Sequence, residues 1–193
     1  MATSATATTY TFAAATTMVL GELVHTLAQI SEPQVNAAIE ALLVAPRIFV
    51  TGAGRSGLAI KMIAMRLMHL GLQVHVVGEI TTPAITSGDL LLIASGSGTT
   101  TGAVRSAEIA RKIGADVLLL TTAPASRLGE LASWIVEIPA ATKQDHRGSI
   151  SRQYAGALFE QAVLLTMDAA FQQMWQSSAA TAEQLYTRHA NLE

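Results

Sequence analysis

Two short segments gather the groups able to hold a small anion: GAGRSG at Gly52 to Gly57 and SGSGTT at Ser95 to Thr100. Each follows a buried-strand pattern, Arg47 to Thr51 or Asp89 to Ala94, and precedes a helix-length segment. Backbone N–H groups and hydroxyls can therefore converge on an anion at two helix starts. Two such loops, spaced as consecutive parallel strands would space them, point to a phosphorylated ligand in a crevice at the sheet's carboxyl edge.

In the first loop the Arg55 guanidinium can reach a phosphate or carbohydrate oxygen, and Ser56 is placed to act as helix cap and anion ligand together. The second loop offers Ser95, Ser97, Thr99, Thr100 and Thr101 on a backbone kept pliable by Gly96 and Gly98. It has no lysine and no GxxxxGK[ST] spacing, so it is not the loop of a nucleoside triphosphatase. Taken one at a time, both loops admit a plainer reading, in which their hydroxyls only cap the following helices and Arg55 lies in solvent. Their recurrence after successive strands favours the ligand.

The first loop also satisfies the GxGxxG dinucleotide fingerprint, with Glu79 lying 27 residues after Gly52 as a candidate ribose-binding acid. A nicotinamide enzyme needs a second mononucleotide half and a substrate region, and five strand patterns leave no room for them.

The elements that must position these loops are legible in the hydrophobic pattern. Met18, Leu20, Leu23, Leu27 and Ile30 suggest a first helix, and a second restarts at Ser31 to Pro33 and stops before Pro46. Apolar runs at Ile48 to Thr51, Val74 to Val77, Leu90 to Ala94, Val117 to Thr121 and Trp134 to Ile138 read as strands buried on both faces. Helices are expected at Ser56 to Leu70, Thr101 to Ile113 and Ser126 to Leu131, with Gly71 and Gly114 closing the first two. From Gly148 onward the pattern is helical again, with Tyr154, Leu158, Ala162, Leu165 and Ala169 on one face, and Thr181 to His189 forms a short amphipathic tail. Phe49, Val50, Leu91 and Ile93 are expected in the core, as are the helical Met62, Met65, Met68 and Met167. Alternating strands and helices give an α/β fold, a three-layer α-β-α sandwich on a five-stranded parallel sheet.

The chain has 193 residues, half of them hydrophobic, enough for one domain over residues 1–193. Residues 1–17, rich in Ala and Thr, read as a flexible arm, and 181–193 as a C-terminal tail. A net charge of -2 with no basic run argues against nucleic acid or an anionic membrane as partner. No run reaches the roughly 18 apolar residues of a membrane span. With no cysteine there is no disulfide, thiolate nucleophile or cysteine-ligated zinc, as in a cytoplasmic protein. A mean hydropathy of +0.39 with 13% charged residues implies apolar surface to be buried between subunits, in a dimer or tetramer.

The pair of loops resembles the sugar isomerase domain. Further stretches, Met65 to Gly71 (MRLMHLG), Val76 to Ile85 (VVGEITTPAI), Gly88 to Leu90, Gly156 to Gln161 (GALFEQ) and the closing Arg188 to Glu193 (RHANLE), resemble the 6-phospho-3-hexuloisomerase family within it. That family converts D-arabino-hex-3-ulose 6-phosphate to fructose 6-phosphate in the ribulose monophosphate pathway, downstream of 3-hexulose-6-phosphate synthase, which fixes formaldehyde. The resemblance implies that Ser56, Ser95, Ser97 and Thr100 surround the phosphate and that Glu160 is the base. Many sugar isomerase domains carry an acid where this chain has Thr99, so no acid chemistry is expected there.

Moving a carbonyl from C3 to C2 needs one group to take a proton from one carbon and return it to its neighbour through a cis-enediolate. Glu160 lies in an apolar helix start, where loss of hydration would favour its proton-holding form. His189 and Arg55 are candidate partners for the enediolate oxygens, with His189 reaching a neighbouring subunit's site. His69, among apolar helical neighbours, reads as structural. His25, His75 and His146 form no HxxxH or HExxH pair, so neither metal nor redox cofactor is expected. The alternatives are an arabinose 5-phosphate isomerase domain, which commonly bears a further regulatory region, a phosphoheptose isomerase, and a sugar-phosphate sensor that keeps the loops but lacks the base.

Overall fold

A computed structural model describes residues 10–143, 145 and 150–192. Residues 1–9 of the expected arm, His146, Gly148 and Glu193 lie outside the described residues.

The chain runs through α1 (Phe12–Leu27), α2 (Glu32–Val44), β1 (Ile48–Gly52), α3 (Gly54–His69), β2 (Val74–Val76), β3 (Leu90–Ala94) and α4 (Thr101–Ile113). It continues with β4 (Asp116–Thr121), α5 (Arg127–Leu131), β5 (Trp134–Glu137), α6 (Ala157–Ser177) and α7 (Ala182–Tyr186). The five strands pair in parallel in the order β2-β1-β3-β4-β5. Strand order therefore reverses between β1 and β3, where Gly52 lies beside Ala94. The loops leaving β1 and β3 diverge at that point, and this is where open parallel sheets form a ligand crevice.

The pleat sorts each strand between two cores. Ile48, Val50, Leu90, Leu92, Leu118 and Leu120 face α1, α2, α3 and α6, while Phe49, Leu91, Ile93, Val117 and Leu119 face α4 and α5. Burial on both sides is why these strands read as continuous apolar runs rather than alternating ones. Gly114 closes α4 in the left-handed conformation, at φ +88°.

Below β3, Arg47 donates from Nε and Nη2 to the two carboxylate oxygens of buried Asp89, at 3.0 and 2.6 Å. The Thr86 amide donates to the same carboxylate at 2.6 Å. Burial alone would push the Asp89 carboxyl up, but the hydrogen bonds from Arg47 and Thr86 and the guanidinium charge hold it below its ordinary value.

Three expectations are corrected here. Residues 12–17 are the first turns of α1 rather than an arm: the Thr11 hydroxyl accepts from the Ala14 amide at 3.2 Å, and alanines then carry the helix. The expected face of the long helix is misplaced, since Tyr154 precedes α6 and both it and Leu165 are exposed. The buried set is Ala157, Leu158, Phe159, Glu160, Ala162, Val163, Thr166, Met167, Ala170 and Met174. Met62 and Met65 are 56% and 58% exposed, and Met68 is also exposed, so of the four methionines only Met167 is core.

Candidate functional site

The β1–α3 loop turns sharply into its helix. A Cβ on Gly57 would stand 2.6 Å from the Gly52 carbonyl oxygen, so glycine lets strand and helix approach this closely. The helix begins at Gly54 with Ala53 as its cap, so Ser56 lies within the first turn and does not cap it. Its side chain is instead buried, at 4% exposure, against the cavity between the loops.

The second loop is fixed from below. The Gly96 carbonyl accepts from the Thr122 amide and from the hydroxyls of Thr121 and Thr122, at 3.2, 3.2 and 2.8 Å. Thr100 precedes α4, yet no side-chain cap bond forms there; its hydroxyl pairs with that of Ser95 at 3.2 Å. Hydroxyls that cap neither helix are available to a ligand, and the first-turn N–H groups of α3 and α4 lie beside them.

Between the loops is a cavity of about 90 Å³. Ser56, Ser95, Gly96, Ser97 and Thr100 line it, so the structure brings together most of the expected phosphate-binding set. Arg55, Gly98 and Thr99, and the expected base Glu160, are not among the lining residues. Gly98, at φ +63°, packs beneath Ser126, and the exposed Thr99 donates to the Ser97 hydroxyl from its amide and its own hydroxyl.

Glu160 sits in the first turn of α6, 6% exposed, where Arg55 Nε stands 3.2 Å from its Oε2. Burial costs this carboxylate its hydration, and the guanidinium supplies a counter-charge. The helix start is itself anchored: Glu22 of α1 accepts from the Ser151 hydroxyl, the Arg152 amide and the Gln153 side chain at 2.7, 2.7 and 3.1 Å. Burial would raise the Glu22 carboxyl, and these bonds outweigh it and hold it low.

The β5–α6 connection closes the cavity with Ala141, Thr142, Lys143 and Gly156, and Phe159 forms its floor against Gly96. Lys143 belongs to no motif, and Phe159 lies within the GALFEQ stretch without being singled out, so sequence reasoning assigned neither to the site. The signal was positional, because the connection leaves the carboxyl end of a strand, as both glycine loops do.

His189 does not line this cavity within one chain. Its ring stacks on that of His69 with centroids 3.9 Å apart, and Arg188 donates to the His69 carbonyl at 3.1 Å. Buried His69 is lowered from its ordinary value by burial and by the charges of His189 and Arg66. Glu79, the candidate ribose acid, is exposed and paired with Lys61 at 2.7 Å. Among the described residues no three of His, Asp and Glu gather as a metal site.

A family profile described as the SIS domain matches residues 41–165. This chain belongs to the SIS domain family. The profile takes in both glycine loops and the first turns of α6. Within the family, the chain is 54% identical over 176 residues to a Mycobacterium gastri protein named 3-hexulose-6-phosphate isomerase, covering 91% of this chain and 88% of that one. It is 40% identical to the Bacillus subtilis (strain 168) protein of the same name, covering 91% and 95%. A Methanococcus jannaschii crystal structure, whose description infers a molecular function of 3-hexulose-6-phosphate isomerase, superposes with TM-score 0.80 at 26% identity, covering 93% of this SIS domain chain and 99% of that one.

Proposed function

We propose that this SIS domain protein is a 3-hexulose-6-phosphate isomerase, interconverting D-arabino-hex-3-ulose 6-phosphate and fructose 6-phosphate. The observation that carries the reading is a buried carboxylate, Glu160, facing Arg55 at 3.2 Å beside a hydroxyl-lined cavity. A sensor domain needs the cavity but has no use for a buried base. The relatives at 54% and 40% identity support the choice of substrate.

The phosphate monoester enters among Ser56, Ser95, Ser97 and Thr100, held by hydroxyls and by the amides that open α3 and α4. With the sugar chain running toward α6, Glu160 takes the proton from C2. The C–H electron pair becomes the C2–C3 double bond, and the C3 carbonyl oxygen takes the negative charge. Arg55 stabilises that oxygen. After a proton passes from O2 to O3, Glu160 returns its own proton to C3, leaving the carbonyl at C2. One carboxylate serves both carbons because a cis-enediolate presents them on one face.

We assign the protein a cytoplasmic place downstream of 3-hexulose-6-phosphate synthase, in formaldehyde fixation. No helix among the described residues is long and apolar enough to cross a membrane. Leu58, Met62 and Met65 form an exposed apolar strip on α3, beside His69 and His189. We assign that strip to contact between copies of the chain, with His189 of one subunit completing a neighbour's site. Mass measurement in solution tests this, and a stable monomer would remove the shared site.

The activity is tested by supplying the hexulose 6-phosphate from the synthase and following fructose 6-phosphate with a chelator present. Turnover supports the isomerase. Saturable sugar-phosphate binding without turnover would replace it with a sensor.

A further inference from the structure

Lys143 lies on the connection between β5 and α6, exposed, and lines the same cavity as Ser56, Ser95, Ser97 and Thr100. It is the one Lys or Arg among the described residues that does so. The Arg55 guanidinium is turned to Glu160. Among the described residues Lys143 has no salt-bridge partner. A phosphate monoester close to neutral pH carries nearly two negative charges. Hydroxyls and amides can orient that group but do not neutralise it.

The packing around the lysine fits this use. Gly156, the residue that caps α6, lies close to both the Lys143 stem and Glu160. A Cβ on Gly156 would meet Lys143 Cγ at 3.3 Å, Cε at 3.7 Å and Glu160 Oε1 at 3.8 Å. The glycine therefore leaves room for the stem beside the helix start, where Lys143 lines the cavity. An alanine would press on the Lys143 stem at Cγ.

We propose that Lys143 is the cation that binds the substrate's phosphate, with Gly156 as the residue that makes space for its stem. The assignment rests on the isomerase reading for the identity of the sugar, but not for the phosphate. The two nearby cations then have separate roles. Lys143 holds the non-reacting end of the substrate, and Arg55 serves Glu160 and the reacting oxygens.

Calorimetric binding of inorganic phosphate and fructose 6-phosphate to the full chain tests the proposal, with steady-state kinetics alongside. Lys143→Met should weaken both ligands about 10- to 100-fold, the range of a charge-assisted contact, and raise KM while leaving kcat within about threefold. Lys143→Arg should restore most of the affinity, because charge rather than shape is required. Gly156→Ala should weaken phosphate binding in the same direction. Lys112→Met, an exposed cation on α4 away from the cavity, should bind like the wild type. Unchanged phosphate affinity in Lys143→Met, or a fall in kcat with affinity intact, would overturn the proposal. Lys143-dependent phosphate binding in a protein that does not turn over the hexulose would uphold the lysine assignment and sink the isomerase reading.

Discussion

Arg55 Nε lies 3.2 Å from Glu160 Oε2, joining the first turn of α3 to the first turn of α6. The arginine side chain is 61% exposed and the glutamate side chain 7%, so the pair has a wet end and a dry end. The guanidinium faces solvent while the carboxylate it pairs with is already desolvated.

A double-mutant cycle on this pair should give a favourable coupling of about 1 kcal/mol, discounted because solvent screens the arginine. Arg55→Met should lower both stability and kcat, since it leaves Glu160 buried without a counter-charge. Arg55→Met combined with Glu160→Gln should recover the stability and not the activity. Strict additivity in denaturant unfolding would show that the pair is not coupled.

Asp89 should make the fold sensitive to acid. Its carboxyl is held below the ordinary 3.8, so the stability it contributes is present above that value and is lost as pH falls from 3.8 through the folded-state value. Asp89→Asn should cost about 2 to 4 kcal/mol at neutral pH, because Arg47 and the Thr86 amide lose their acceptor. It should also flatten the acid limb of the stability curve. An unchanged acid limb in the variant would remove Asp89 as its cause.

His69 acts in a higher pH window. Its folded-state value lies below 6.5, so the stability tied to its neutral form is complete above 6.5 and falls as pH drops from there. Thermal unfolding followed from about pH 7.5 to about pH 5.5 should show a steeper loss in the wild type than in His69→Leu. Parallel curves would count against a buried neutral imidazole.

Two glycines should respond oppositely to alanine. Gly57→Ala should cost about 1 to 3 kcal/mol, since its Cβ would press on the Gly52 carbonyl, a backbone atom with no room to yield. Gly102→Ala should stabilise by about 0.5 to 1 kcal/mol, because nothing lies within 4 Å of the added Cβ and α4 gains a better helix former. Equal effects would mean that loop packing does not set the first value.

The central strands β1, β3 and β4 were readable in the sequence because burial on both faces writes them as apolar runs, and Leu90 to Ala94 match to the residue. The hydroxyls of Ser95, Ser97 and Thr100 were readable as candidates because two glycine loops recur after successive strands, and the structure brings all three to one cavity. Periodicity misjudged the outer face of α3, where Met62 and Met65 look like core yet lie exposed. A helical stripe has the same pattern whether it packs on its own sheet or on a second molecule. The start of α1 at Phe12 was hidden because alanines and threonines lack the large apolar residues that mark a face. Lys143 and the meeting of Arg55 with Glu160 arise only when the carboxyl ends of β1 and β5 are brought to one edge, which no local pattern encodes.

The central claim is that Glu160 carries the proton between C2 and C3. The most direct measurement is the kcat of Glu160→Gln for fructose 6-phosphate formation, together with its affinity for fructose 6-phosphate. Loss of a positioned general base should lower kcat about 10²- to 10⁴-fold with affinity little changed, since glutamine keeps the shape and removes only the proton acceptor. A Glu160→Gln variant that turns over within about tenfold of the wild type would contradict the account and place the base elsewhere.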